Sequence, residues 1–183
     1  DAAEAHGAKV GDVMAGALGK AGTFSFYGNK IMTTGEGGMV TTSDDAFAQR
    51  CRVLKDHGMS PARRYFHTEL AFNYRMTNLQ AALGVAQLEQ IEALIEHKRR
   101  IMKRYRAALS SLAGEGGRIA LNHERRGYRS VYWMASAVLA ADVAQERDVI
   151  TARLRERGVD TRPFFVPMSE LPHLAAYRAV GAA

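Results

Sequence analysis

The sequence predicts an α/β protein, and three observations carry that expectation. Strand, turn, strand and helix patterns alternate through residues 1–76. A capped helical pattern of unusual length starts at Thr77, and a smaller mixed strand-and-helix unit follows it. The stretch TFSFYGNKIMTTGEGGMV, Thr23 to Val40, organises the first part. Alternating Phe24-Ser25-Phe26 reads as a buried strand end, and the Gly-Glu-Gly-Gly run from Gly35 to Gly38 reads as a shaped turn. Between them stands one lysine, Lys30. A lysine held against a strand end and a rigid turn is a candidate nucleophile, since desolvation frees its amine for Schiff-base chemistry. Taken alone, it is more simply a solvated surface charge.

In chain order, Asp1-Ala-Ala-Glu-Ala-His-Gly7 reads as a helix start with Asp1 as N-cap, and residues 8–22 as a glycine-broken connector. Met39–Thr42 reads as a short strand. Ser43-Asp44-Asp45 caps a helix that carries Phe47, Val53 and Leu54 and is closed by Gly58. Residues 59–76 lack periodicity but hold Tyr65, Phe66 and Tyr74, so this loop is expected to pack on something or cover a site. Thr77-Asn-Leu-Gln80 is a capping box. Apolar spacing from Leu79 to Leu112, ahead of the Gly114–Gly117 stop, predicts one helix of about 35 residues, roughly 50 Å long. The spacing is not a strict heptad, which favours a bridging helix over a coiled coil. Beyond it, Val131–Leu139 reads as a buried strand and Gln145–Arg157 as an amphipathic helix closed by Gly158. Val159–Phe165 reads as another strand and Leu171–Val180 as a last short helix.

The 183 residues suffice for a sizeable core, and the net charge of +6 would suit a polyanion. The basic residues, however, alternate with acids in helical segments (KRRIMKRYR, RLRERG), which reads as solvated helix faces rather than a nucleic-acid surface. A single cysteine, Cys51, excludes a disulfide framework and points to a reducing compartment, the cytoplasm. No apolar run is long enough for a transmembrane helix. His57, His67, His123 and Cys51 lack metal-ligand spacing, so no metal is expected.

Several motifs, in order, carry a resemblance: DAAEAHGA, FSFYGNK with TTGEGGMV, DHGM, NYRMTNLQAALGVAQL and TRPFF-P. Together they resemble the DegT/DnrJ/StrS family of nucleotide-sugar aminotransferases, with the lysine motif most similar to the perosamine-synthase branch. The resemblance implies a pyridoxal 5'-phosphate (PLP) enzyme of fold type I, the aspartate aminotransferase-like fold. It implies Lys30 as the covalent anchor of PLP, Asp1 facing the pyridine nitrogen, Glu4 near the phenolic oxygen and Ser25 on the phosphate. Two acids beside one cofactor would raise each other's pKa, so Glu4 is expected to be protonated or hydrogen-bonded. Asn73 is implied to reach the PLP phosphate of a second subunit, and Arg75 the substrate. Arg162, Phe164 and Phe165 resemble the segment that borders the sugar nucleotide. The Pro167-Met168-Ser169 run departs from relatives that carry a histidine there, which leaves sugar specificity open.

On that resemblance, residues 1–76 are the C-terminal part of the PLP-binding large domain, 77–113 the long bridging helix and 114–183 a partial small domain. The chain starts inside a motif and is about half the family's length. It therefore reads as an internal fragment, expected neither to fold stably nor to catalyse alone. The implied reaction moves an amino group, from glutamate by analogy, onto a nucleotide-linked 4-keto-6-deoxyhexose, in a homodimer with a shared active site. Lys30 argues against the dehydratase branch, where histidine stands instead. The alternatives are a non-catalytic regulatory or DNA-binding protein, or a truncated pseudo-enzyme of the same family.

Overall fold

The computed structural model describes residues 1–113 and 116–177, with the backbone alone at Gln145 and Ala175. Two compact units form, Asp1–Val138 and Leu139–Ala183.

In the first unit, β1 (Lys9–Val10) and β2 (Val13–Met14) form a tight antiparallel hairpin, and β6 (Tyr128–Arg129) adds antiparallel to β1. The expected connector over residues 8–22 is therefore partly a hairpin; its strands of two residues are too short to show a period. The expected helix start at Asp1 is a series of turns instead. The Asp1 carboxylate accepts from the Ala3 N–H at 2.8 Å, so it caps a turn.

Strands β3 (Ala21–Ser25) and β4 (Gly38–Thr42) pair antiparallel over five positions, from Ala21 opposite Thr42 to Ser25 opposite Gly38. The lysine turn is what connects them. Gly37 has φ of 146°, a conformation that L side chains avoid, and a Cβ there would stand 2.7 Å from Thr34 Oγ1. The glycine run is a shaped turn, as its sequence suggests.

Helix α1 (Asp45–Leu54) is capped by the Asp44 side chain, which accepts from Phe47 N–H at 2.9 Å. It ends at Leu54 rather than at Gly58; His57 and Gly58 both take positive φ and turn the chain into the loop. Residues 59–76 are ordered by isolated bridges between Asp56 and Asn73 and between Met59 and His67.

The expected single long helix is two. Helix α2 (Asn78–Leu88) has the capping box: Thr77 accepts from Gln80 N–H, and Gln80 Oε1 accepts from Thr77 N–H. The helix breaks at Glu89–Gln90, where Gln90 leaves helical ψ (11°), and α3 (Ile91–Ala108) begins anew. Apolar spacing continues across the break, which is why periodicity alone joins the two segments. Of the Gly114–Gly117 stop, Gly114 and Glu115 lie outside the described residues.

The core sits where α3 meets the lysine turn. Ile95 is 0% exposed and packs with buried Ile31 and Val131, with Ala8, Ile91, Leu94 and Trp133 around them. Gly7 (φ 80°) lies so close to Ile95 Cδ1 that any Cβ would overlap it. Of the expected strand Val131–Leu139, only β7 (Ala137–Leu139) is a strand, and it pairs with β5 (Ile119–Leu121). Val131 and Tyr132 are buried without a ladder partner, so the first two residues of the apolar run serve core packing rather than sheet pairing.

In the second unit a short 3-10 turn leads into α4 (Arg147–Glu156), and two further 3-10 turns cover Met168–Glu170 and Pro172–Tyr177. Val159–Phe165 forms no strand and pairs with none among the described residues, contrary to the sequence expectation. The expected last helix is a 3-10 turn to Tyr177, and residues 178–180 lie outside the described part. No helix among the described residues is long and apolar enough to cross a membrane.

Candidate active site

Lys30 follows a tight turn in which its N–H donates to the Tyr27 carbonyl at 3.0 Å. The turn is pinned from within: Thr34 N–H and Thr33 Oγ1 both donate to the Phe26 carbonyl, and Phe26 N–H donates to Gly37 O. Helix α2 grips it from outside. The Gln87 carboxamide donates to Thr33 O at 2.8 Å and accepts from Thr33 N–H at 3.0 Å, while Gln80 Nε2 donates to Glu36 O. The buried Gly84 of α2 lets Thr34 approach closely. Two glutamines in a helix thus take the place of a sheet ladder for a turn that has none. Glu36 shapes this turn through its backbone.

Within this frame the Lys30 side chain is 11% exposed, and its Nζ donates to Glu4 Oε1 at 3.1 Å. Glu4 arrives on the amino-terminal turns, which lie beside β3 because Ala2 N–H donates to Thr23 O at 2.8 Å. Glu4 meets Lys30 as the carboxylate of an ion pair. The Ser25 hydroxyl stands at the end of β3 and accepts from Tyr27 N–H at 3.3 Å. The structure thus brings Lys30 and Glu4 into contact and places Asp1 and Ser25 on the two adjoining segments.

Asn73 and Arg75 gather elsewhere. Asn73 bridges to Asp56 and accepts from Arg75 N–H at 3.4 Å, and Arg75 Nε pairs with Asp56 Oδ1 at 3.3 Å. Neither shares a hydrogen bond or ion pair with Lys30 or Glu4 among the described residues. Arg162 and Phe164 belong to the second unit, where the Arg162 guanidinium lies 5.5 Å from the Phe165 ring and Phe164 is exposed.

Two residues at Lys30 escape a reading of the sequence. His6 is 5% exposed, wedged between the rings of Phe24 and Phe26 at 5.3 and 5.8 Å. Burial pushes its imidazole below the ordinary value of 6.5, and the Lys30 charge pushes the same way, against an opposing pull from the Ser25 backbone. Trp133 lies 4.4 Å from Lys30 Nζ, ring centroid to nitrogen. The only signals for them are that Trp133 is the chain's single tryptophan and that His6 stands in an otherwise small-residue motif.

His6 has a pH consequence. The fold holds it neutral, whereas the unfolded chain takes up a proton below about 6.5. Stability should therefore fall as pH drops from 6.5 toward the lowered folded value, and level off beneath it. His6→Leu should flatten this slope in urea unfolding between pH 7.5 and 5. Parallel pH profiles for both proteins would refute the assignment.

The donor set suits PLP. One amine is nearly buried, two carboxylates and a hydroxyl lie on segments adjoining it, and Asn29 Oδ1, next to the lysine, is buried without a hydrogen-bond partner.

Comparison with known proteins agrees. The profile of the DegT/DnrJ/EryC1/StrS aminotransferase family matches residues 1–182. The GDP-perosamine synthase of Caulobacter vibrioides is 44% identical over 178 residues, 96% of this chain and 47% of that protein. That of Vibrio cholerae is 41% identical over 178 residues, with the same coverage. Spr1654 of Streptococcus pneumoniae, solved in its PLP-form, superposes with a TM-score of 0.84 at 25% identity, covering 99% of this chain and 46% of that one. The chain spans about half the length of the curated relatives it matches. With the fold type I architecture and a Lys30 amine on a glycine-shaped turn held by the Glu4 carboxylate of the amino-terminal turns, the chain belongs to the DegT/DnrJ/EryC1/StrS aminotransferase family, whose cofactor is PLP.

Proposed function

We propose that the protein carrying this chain is a PLP-dependent transaminase that moves an amino group from an amino acid, glutamate by analogy, to a nucleotide-linked 4-keto-6-deoxyhexose. The observation that carries this reading is the Lys30 amine, 11% exposed and hydrogen-bonded to Glu4 at 3.1 Å, within a chain of this family. Perosamine synthases are the relatives named above, and they supply the choice of sugar.

Lys30 would hold the cofactor covalently, Asp1 would face its ring nitrogen, Glu4 its phenolic oxygen and Ser25 its phosphate. When bound, PLP supplies an electron sink that allows a carbon–hydrogen bond beside the transferred nitrogen to break. Lys30 Nζ would take that proton and return it. Glu4 keeps Nζ from wandering by accepting its hydrogen bond, and the partial exclusion of water around the amine strengthens that contact. The apolar stack of His6, Phe24 and Phe26 lies beneath, holding β3 and its Ser25 in place. Arg75, Arg162 and Phe164 are proposed to bind substrate, and Asn73 to reach the cofactor phosphate of a second copy in a homodimer. The large-domain, bridging-helix and small-domain division at 76 and 113 belongs to this same reading, as does a cytoplasmic location.

The test is an assay of 2-oxoglutarate release by the full-length protein that carries these residues (the full chain) with PLP and glutamate. Addition of a GDP-linked 4-keto-6-deoxyhexose should raise steady-state release at least about 100-fold, since the acceptor is needed for every turnover. Release that ignores the keto sugar would remove it as the substrate.

A further inference from the structure

Trp133 stands on the segment that follows β6, and two of its features converge on the lysine turn. Its ring face lies 4.4 Å from Lys30 Nζ, and its Nε1–H donates to the carbonyl of Asn29, the residue before the lysine, at 2.7 Å. One side chain therefore fixes both the amine and the backbone that leads into it. Glu4 holds the same nitrogen at 3.1 Å, so Lys30 is gripped by a carboxylate and a π-face together.

The indole is itself firmly held. Trp133 packs on the Ile31, Ile95 and Val131 core. Tyr132, immediately before it, is buried at φ 46°, a strained conformation for a bulky residue. Helix α3 supplies the restraint. Arg106 donates to Tyr132 Oη at 2.9 Å and to Asn122 O at 2.6 Å, and lies 5.0 Å from the Tyr132 ring. Arg99 joins Glu124 at 2.6 Å to Ser130 O at 2.5 Å, and Glu124 in turn accepts from Ser130 N–H. Basic residues that read from sequence as a solvated helix face are here used to bend the chain. Strain maintained by so many contacts, one residue before an indole that touches the lysine, calls for a reason beyond packing.

We propose that Trp133 is a positioning residue for Lys30. Its ring and its N–H to Asn29 set where Nζ stands relative to Glu4, so that the amine is presented to the cofactor aldehyde. This rests on Lys30 being the cofactor-bearing residue.

The difference in indole emission between wild type and Trp133→Phe isolates the Trp133 contribution in the full-length protein, whatever other tryptophans that protein carries. In the cofactor-free full chain, Lys30→Met should change that emission, whereas Lys20→Met, at a lysine paired with Asp44, should not. Covalent capture of added PLP, followed by visible absorbance, should slow at least about tenfold in Trp133→Leu. Trp133→Phe keeps a ring and should recover part of the rate. Emission indifferent to Lys30→Met overturns the proposal even if Trp133→Leu fails to fold. Wild-type capture by a folded Trp133→Leu overturns it as well. If Lys30→Ala itself still captures PLP covalently, it is the Lys30 reading that fails instead.

Discussion

Lys30→Ala is expected to abolish covalent retention of PLP and to lower kcat/KM by a factor on the order of 10⁴ or more. The size of the effect follows from the number of tasks that meet on one atom. Nζ is the attachment point, the leaving group and the proton carrier in the proposed reaction. No neighbour can substitute. Lys20 is the nearest lysine in sequence before it, and it is largely exposed in an ion pair with Asp44 at 3.4 Å. Glu4, which touches Nζ, has no nitrogen to offer. Added small primary amines should restore some turnover to the variant, because the pocket that held the side chain remains. A variant that keeps more than roughly a hundredth of wild-type kcat/KM would contradict the assignment.

Ile95→Ala should be the most damaging single truncation in the first unit. Ile95 is 0% exposed, meets Ile31 and Val131, and leaves no room for a Cβ at Gly7. Its removal costs about 2–5 kcal/mol from lost transfer energy and the cavity left behind. A melting temperature lower by roughly 5–15 °C is the expected reading in calorimetry of the full chain. The same cavity opens beneath Ile31, the residue after Lys30, and beside Trp133. Weaker PLP retention should therefore accompany the lost stability. A melting temperature within a degree or two of wild type would show that the core lies elsewhere.

The parts of the site that the sequence discloses are those built from local contacts. The turn from Gly35 to Gly38 needs backbone freedom at fixed positions, so its glycines declare it. Asp44 and Thr77 cap helices through residues three positions away, and both caps are legible in the residue spacing alone. Periodicity fails where the chain answers to distant partners. The break at Glu89–Gln90 leaves the apolar spacing intact, so two helices read as one. Val131–Leu139 reads as one strand because its two buried core residues, Val131 and Tyr132, adjoin three residues that do pair, Ala137–Leu139. Val159–Phe165 has the composition of a strand and no strand partner among the described residues. Trp133 reaches Asn29 across 104 positions, a separation that no local pattern encodes. Lys30, by contrast, is marked by its motif, and the structure adds the Glu4 contact that places its amine.

The most direct measurement is borohydride reduction of the full chain after incubation with PLP, followed by digestion and peptide mass mapping. The reduced phosphopyridoxyl group should be found on Lys30, on the peptide that carries Tyr27-Gly28-Asn29, at near-stoichiometric yield. Its appearance mainly on Lys9, Lys20 or Lys55, with Lys30 unmodified, would contradict the account.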